Sequence, residues 1–180
     1  TTNVSGGLLN GAGTNSGVQY FGSNTVDAVT MQNLNAVTDN SLVNIGAGGV
    51  INNGTWTVSS PTAPGNLTRI QAAAPAVTVG GTGTIRLQGV GTGDNDSAFL
   101  YYTAVGNVLT NGASHSIKGY GRVYTNLVNN GSVNADVAGK ALLMIDQPKT
   151  NNGTMTASNG GVLQFRNVSV TGNPAAQVIS

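Results

Sequence analysis

The chain contains no cysteine and no glutamate, and only 7% of its 180 residues are charged and 5% aromatic. Without cysteine there is no disulfide framework, no thiol nucleophile and no thiolate metal site. A single histidine, His115, excludes a multi-histidine metal centre, and any Ser-His-Asp triad would have to use it without a Gly-x-Ser-x-Gly elbow to present the serine. The seven Lys and Arg are scattered and nearly balanced by six acids, all Asp, so no basic stripe exists for a nucleic-acid partner. No apolar run reaches the roughly 18 residues of a spanning helix, and no membrane span is expected. Missing Glu also removes a main constituent of helical surfaces.

What is present points to strands and corners. Gly (27), Asn (23), Thr (21) and Val (21) together make up about half of the chain. Val and Thr suit a pleated, half-buried strand, whereas Gly, Asn and Asp suit turns. A hydrophobic content of 39% is enough for the core of one domain, residues 1–180, and that core has to be built from small aliphatics. Glycine- and asparagine-rich chains can remain disordered, but a net charge of +1 and short alternating runs of Val, Ile and Leu oppose that. The expectation is a folded, strand-rich, secreted protein.

The strongest signal is internal repetition. Asn52-Asn53-Gly54-Thr55-Trp56-Thr57-Val58, Asn129-Asn130-Gly131-Ser132-Val133-Asn134-Ala135 and Asn151-Asn152-Gly153-Thr154-Met155-Thr156-Ala157 align without gaps. Gly83-Thr84-Ile85-Arg86-Leu87 shares their second half. Gly131 and Gly153 stand one period apart; Gly83 to Gly131 reads as about two such periods; Gly54 to Gly83 is longer than one and implies an insertion near Pro61 to Pro64. Positive φ at the Asn-Gly pairs Asn53-Gly54, Asn130-Gly131 and Asn152-Gly153 would turn the chain at structural corners. After each corner the alternation directs Trp56, Val58, Ile85, Leu87, Val133, Ala135, Met155 and Ala157 inward, with Leu163 and Phe165 from a following strand. The expected fold is an all-β solenoid of parallel coils, about 22 residues each, roughly eight coils and about 40 Å long at a strand spacing near 4.8 Å. The alternative is an antiparallel β-sandwich, which needs many turns but not the same corner in phase. Residues 45–172 carry the coils; residues 1–44 are weakly repetitive and are read as a candidate cap.

The stretches His115-Ser116-Ile117-Lys118-Gly119-Tyr120-Gly121-Arg122-Val123, Leu127 through Asp136, Asn152 through Ala157 and Gly160 through Phe165 resemble repeats of bacterial autotransporter passengers and filamentous-haemagglutinin-like exoproteins. The resemblance covers residues 105–172 well, 45–90 loosely and 1–44 hardly at all. It implies a right-handed parallel β-helix, exported to the bacterial cell surface or secreted, with a structural or adhesive role.

For chemistry the inventory is thin, and a non-enzymatic protein without cofactor is expected. Polysaccharide lyases and hydrolases on such scaffolds use clustered carboxylates, and here the one close pair is Asp94 and Asp96. That pair reads first as a turn, with a Ca²⁺ site as the weaker alternative. Tyr101 and Tyr102 form the densest aromatic patch, bracing the wall or contacting a ligand such as a surface glycan or a host or neighbouring-cell protein. His115 reads as a solvated turn residue ahead of a strand. Asn53, Asn130 and Asn152 are expected to stack as amide ladders. Residues 168–180 carry no obvious polar cap, so the expected partner is the remainder of a longer chain or a second copy stacked end to end, which would build filaments.

Overall fold

The computed structural model describes residues 1–11, 17–61, 67–90, 97–173 and 177–179. Among these residues there is no helix, and 23 strands account for the regular structure. All of the strand pairings among them are parallel. Parallel neighbours cannot be joined by a tight hairpin turn; the chain must make a long detour before it returns alongside itself. Here the detour consists of other strands.

The chain visits three rows of strands in a fixed order. Thr2–Ser5, Leu8–Asn10 and Gly17–Tyr20 make the first cycle, and Ser23–Asp27, Val29–Gln32 and Leu34–Val37 the second. Each strand of the second pairs with its counterpart in the first. The order continues to Val162–Arg166, Val170–Gly172 and Gln177–Ile179. One strand, Ser116–Val123, serves two rows, since its first half pairs with Thr84–Gln88 and Ser132–Ala135 and its second with Ala98–Tyr102 and Ala141–Ile145. It joins the first and third rows into a curled 15-stranded sheet, and the middle row forms a separate 8-stranded sheet. The antiparallel alternative has no counterpart in this pairing. Residues 1–44 contribute strands to all three rows.

The period is not constant. Thr84 lies opposite Ser116, and Ser116 in turn opposite Ser132, so the first of these two cycles is twice as long as the second. The cycle that brings Thr2 opposite Asn24 falls between them in length. The stretch from Gly83 to Gly131 therefore divides into one long and one short cycle rather than two equal ones. Other long excursions, such as that between Thr68 and its partner Ala98, leave the register intact. Loop length is cheap, costing about 0.6 kcal/mol per doubling, whereas a slip by a single position would turn every inward side chain outward.

Inward residues stack on their counterparts in the next cycle. In the third row Trp56, Ile85, Ile117, Val133 and Met155 form one column in register, all without solvent exposure. Val58, Leu87 and Ala135 are equally buried, while Ala157 and Leu163 are partly buried against this core. Phe165 departs from expectation. It lies opposite Met144 on the inward side of its row, yet is 39% exposed. Among the described residues its strand pairs on one side only, with Ala141–Ile145, and no strand on the other side covers the ring.

The corners are also built differently from expectation. Gly54, Gly131 and Gly153 do not have positive φ. Glycine is required because the backbone of the preceding cycle passes too close: a Cβ would lie 1.9 Å from the Asn33 carbonyl oxygen at Gly54, 2.2 Å from that of His115 at Gly131 and 2.0 Å from that of Gly131 at Gly153. Those same oxygens accept the amides of the next residues, Thr55, Ser132 and Thr154, at 2.8–3.1 Å.

Candidate functional site

Two places concentrate polar chemistry. The first is inside the stack, one residue before the corner. Asn111 Nδ2 donates to Asn129 Oδ1 at 2.7 Å, and Asn129 Nδ2 to Asn151 Oδ1 at 2.8 Å, all three residues being buried. His115 extends this line downward. Its Nδ1 lies 2.7 Å from Asn111 Oδ1 and its Nε2 3.0 Å from Asn52 Nδ2. Because the Asn111 amide is already donating to Asn129, its oxygen needs a donor, which the neutral Nδ1–H tautomer supplies while Nε2 accepts from Asn52. His115 follows Gly112 at a turn directly over Gly83, where a Cβ would meet the Gly54 carbonyl oxygen at 2.2 Å, and its imidazole reaches Asn52 two cycles below. The solvated turn expected for His115 is thus a buried structural position. Burial lowers its pKa to about 4.

Outside the stack, the corner amides behave as separate contacts. Asn152 Nδ2 donates to Asn130 Oδ1 at 2.9 Å in an exposed rung, and Asn53 Oδ1 accepts the Thr82 amide at 3.2 Å. Lys149 lies in the interior with no solvent exposure. Its Nζ donates to the carbonyls of Ile145, at 3.2 Å, and Gln147. Desolvation brings its pKa down to about 8, against an opposing pull from Asp146.

The second place is an outer cleft on the first row. Arg69, Phe99 and Arg122 face outward in register from three successive cycles, between the inward residues Thr68, Ile70, Ala98, Leu100 and Val123. The Arg122 guanidinium lies over Phe99 at 4.7 Å from the ring centre, and the Tyr124 ring adjoins it at 6.0 Å. Phe99 is buried as a result, although its position points away from the core. Tyr101 stacks on Tyr102 at 4.7 Å and 7°, and meets Tyr124 edge-on at 5.4 Å and 62°. Arg69 approaches the Tyr101 ring at 6.0 Å. Arg69, Phe99, Tyr101, Arg122 and Tyr124, with the exposed Leu67, line a cleft of about 220 Å³. The Tyr102 phenol is held above its ordinary range, first by partial desolvation and then by Tyr101, Asp146 and Tyr124.

Tyr101 and Tyr102 are therefore stacked together and half-buried; Tyr101 lines this cleft, whereas Tyr102 backs it from behind Tyr101 and does not line it. Asp94 and Asp96 lie outside the described residues. Among the described residues no three His, Asp or other ligating side chains gather around a point where a metal ion could sit. Asp136 is held by Arg86 at 3.0 Å.

No family model, curated protein or solved structure matches this chain. The resemblance to autotransporter and filamentous-haemagglutinin-like repeats rests on the repeat residues themselves. Sequence reading does not single out Arg69, Arg122 or Leu67 for the cleft. The available signal was alternation: Arg69 beside Ile70 and Arg122 beside Val123 mark both arginines as outward positions on strands.

Proposed function

We propose that this chain is a right-handed parallel β-helix serving as a non-enzymatic structural or adhesive segment of a bacterial surface or secreted protein, joined end to end to further chain or to another copy. The observation that supports it is the three-row parallel register, in which each cycle covers the inward side chains and backbone groups of the one before. Such a stack has no closed end of its own: the next level must come from more chain, a cap or another copy. Right-handedness follows from the near-universal hand of parallel crossovers. Solution scattering and electron microscopy of the purified protein test it. A rod of about 40 Å, lengthening by whole multiples as concentration rises or as flanking chain is added, is expected. A compact particle of constant dimensions would overturn the reading. Surface location is tested by protease accessibility on intact producing cells, where protection until lysis would exclude export.

A second reading, a carbohydrate-binding or carbohydrate-cleaving side face, is supported by one observation, the aromatic and arginine-lined cleft. A glycan array combined with a polyuronide-cleavage assay tests it. Activity lost in Asp94→Ala would make the protein an enzyme and displace the structural reading.

A further inference from the structure

The cleft permits a more specific statement, which rests on the side-face reading above: we propose that it binds an acidic saccharide, with the sugar ring held against Tyr101 and Tyr124 and the sugar carboxylate held by Arg69.

The aromatic wall is fixed before any ligand arrives. Tyr101 is locked by its stack on Tyr102 and its edge contact with Tyr124, and Phe99 beneath is covered by Arg122. Tyr101 and Tyr124 meet edge-on at 62° and both line the cleft. The apolar C–H face of a pyranose fits such a wall, and a wall already ordered loses little entropy on binding. Outward strand positions more commonly carry Thr or charged residues here, as at Thr57, Arg86 and Lys118 on the third row. Three rings side by side on an outer face have no core-building role.

Arg69 supplies the anion preference. Its Nε is buried without a hydrogen-bond partner. An unspent buried donor is costly, and more so on a charged group. The described residues lining the cleft include no carboxylate. A carboxylate entering beside Tyr101 would take the guanidinium fork through two parallel hydrogen bonds after a rotation of the terminal group. Arg122 is committed to covering Phe99 and has a partner of its own, so it acts as a floor and is not needed as an anion ligand. At about 220 Å³ the cleft is smaller than sites that engulf a drug-sized molecule, which fits one ring of a longer polysaccharide. An acidic peptide would offer the carboxylate without the ring face, and a neutral sugar the ring face without the carboxylate.

Calorimetry and aromatic-region NMR titration with trigalacturonate, its methyl ester, maltotriose, hexa-aspartate and oligothymidylate separate these cases. Trigalacturonate is expected to bind and to shift the Tyr101 and Tyr124 resonances. Methyl esterification or Arg69→Gln is expected to weaken it about tenfold or more, and Tyr101→Leu comparably. Arg69→Lys, which keeps the charge and removes the fork, provides the same readout if Arg69→Gln does not fold. Binding of maltotriose as tight as trigalacturonate would overturn the acidic preference while leaving the side-face reading in place. Absence of binding by any saccharide up to millimolar concentrations would overturn both. Equal binding of hexa-aspartate or oligothymidylate, or indifference to all the substitutions, would show a nonspecific anion contact and overturn the proposal.

Discussion

His115 has one protonation state in which both ring nitrogens are satisfied, and that state is neutral. A second proton on Nε2 would face the Asn52 amide donor inside the stack. Its pKa of about 4, against 6.5 in an unfolded chain, means the unfolded state binds more protons between those values. The stability held by the neutral ring is complete above pH 6.5 and is lost as pH falls toward 4, amounting to about 3 kcal/mol. Urea denaturation across that window is expected to show this loss in the wild type and not in His115→Gln; identical pH profiles for the two would refute it. Lys149 titrates in a different window. Its pKa of about 8 lies below the ordinary 10.5, so stability rises as pH climbs from 8 to 10.5. Lys149→Met should remove that rise. Neither residue was legible in the sequence as buried: the lone His115 reads as a solvated turn residue, and nothing around Lys149, next to Pro148, singles it out as interior. Their burial goes with interior partners that only the folded chain supplies, Asn111 and Asn52 for His115 and the Ile145 and Gln147 carbonyls for Lys149.

At the scale of the corner, the requirement for glycine is steric. Gly153→Ala would place a methyl 2.0 Å from the Gly131 oxygen, where only backbone can move. A loss of about 1–3 kcal/mol is expected from urea midpoints. Gly80→Ala, whose Cβ would meet nothing closer than 4.0 Å, should be nearly neutral. The amide ladders divide in the same manner. Asn129→Ala removes two rungs at once and strands buried partners on Asn111 and Asn151, at a cost of about 2–3 kcal/mol. Asn130→Ala touches an exposed rung, and less than about 0.5 kcal/mol is expected. The Asn-Asn-Gly signature was visible in the sequence, but which asparagine faces inward was not. Both neighbours are the same residue type, and the corner, where strand alternation stops, decides their sides.

Over the whole molecule, register rather than length holds the cycles together. A short Gly/Ser insertion between Val90 and Ser97, within a step that is already long, should cost less than about 1 kcal/mol. The same insertion at Tyr124-Thr125, which alone separates Ser116–Val123 from Asn126–Asn129, pushes apart two strands joined by a minimal connection and buries Thr125 no longer. A clearly larger drop in thermal midpoint is expected there. Equal effects at the two sites would contradict a structure set by register.

The sequence by itself determined the material: strands instead of helices, a core of small aliphatics, glycine at the corners and no reactive inventory of thiols or paired histidines. It also placed the inward column through Trp56, Ile85, Val133 and Met155, because alternation is a local property of a strand. Stacking decided the remainder. The unequal division of the chain between Gly83 and Gly131, the burial of His115 and Lys149 and the exposure of Phe165 depend on the fold of the chain against itself. The assembly of Arg69, Phe99, Tyr101 and Tyr124 into one cleft depends on it as well. These residues come from three successive cycles, far apart along the chain, and only a parallel register brings them to one outer face.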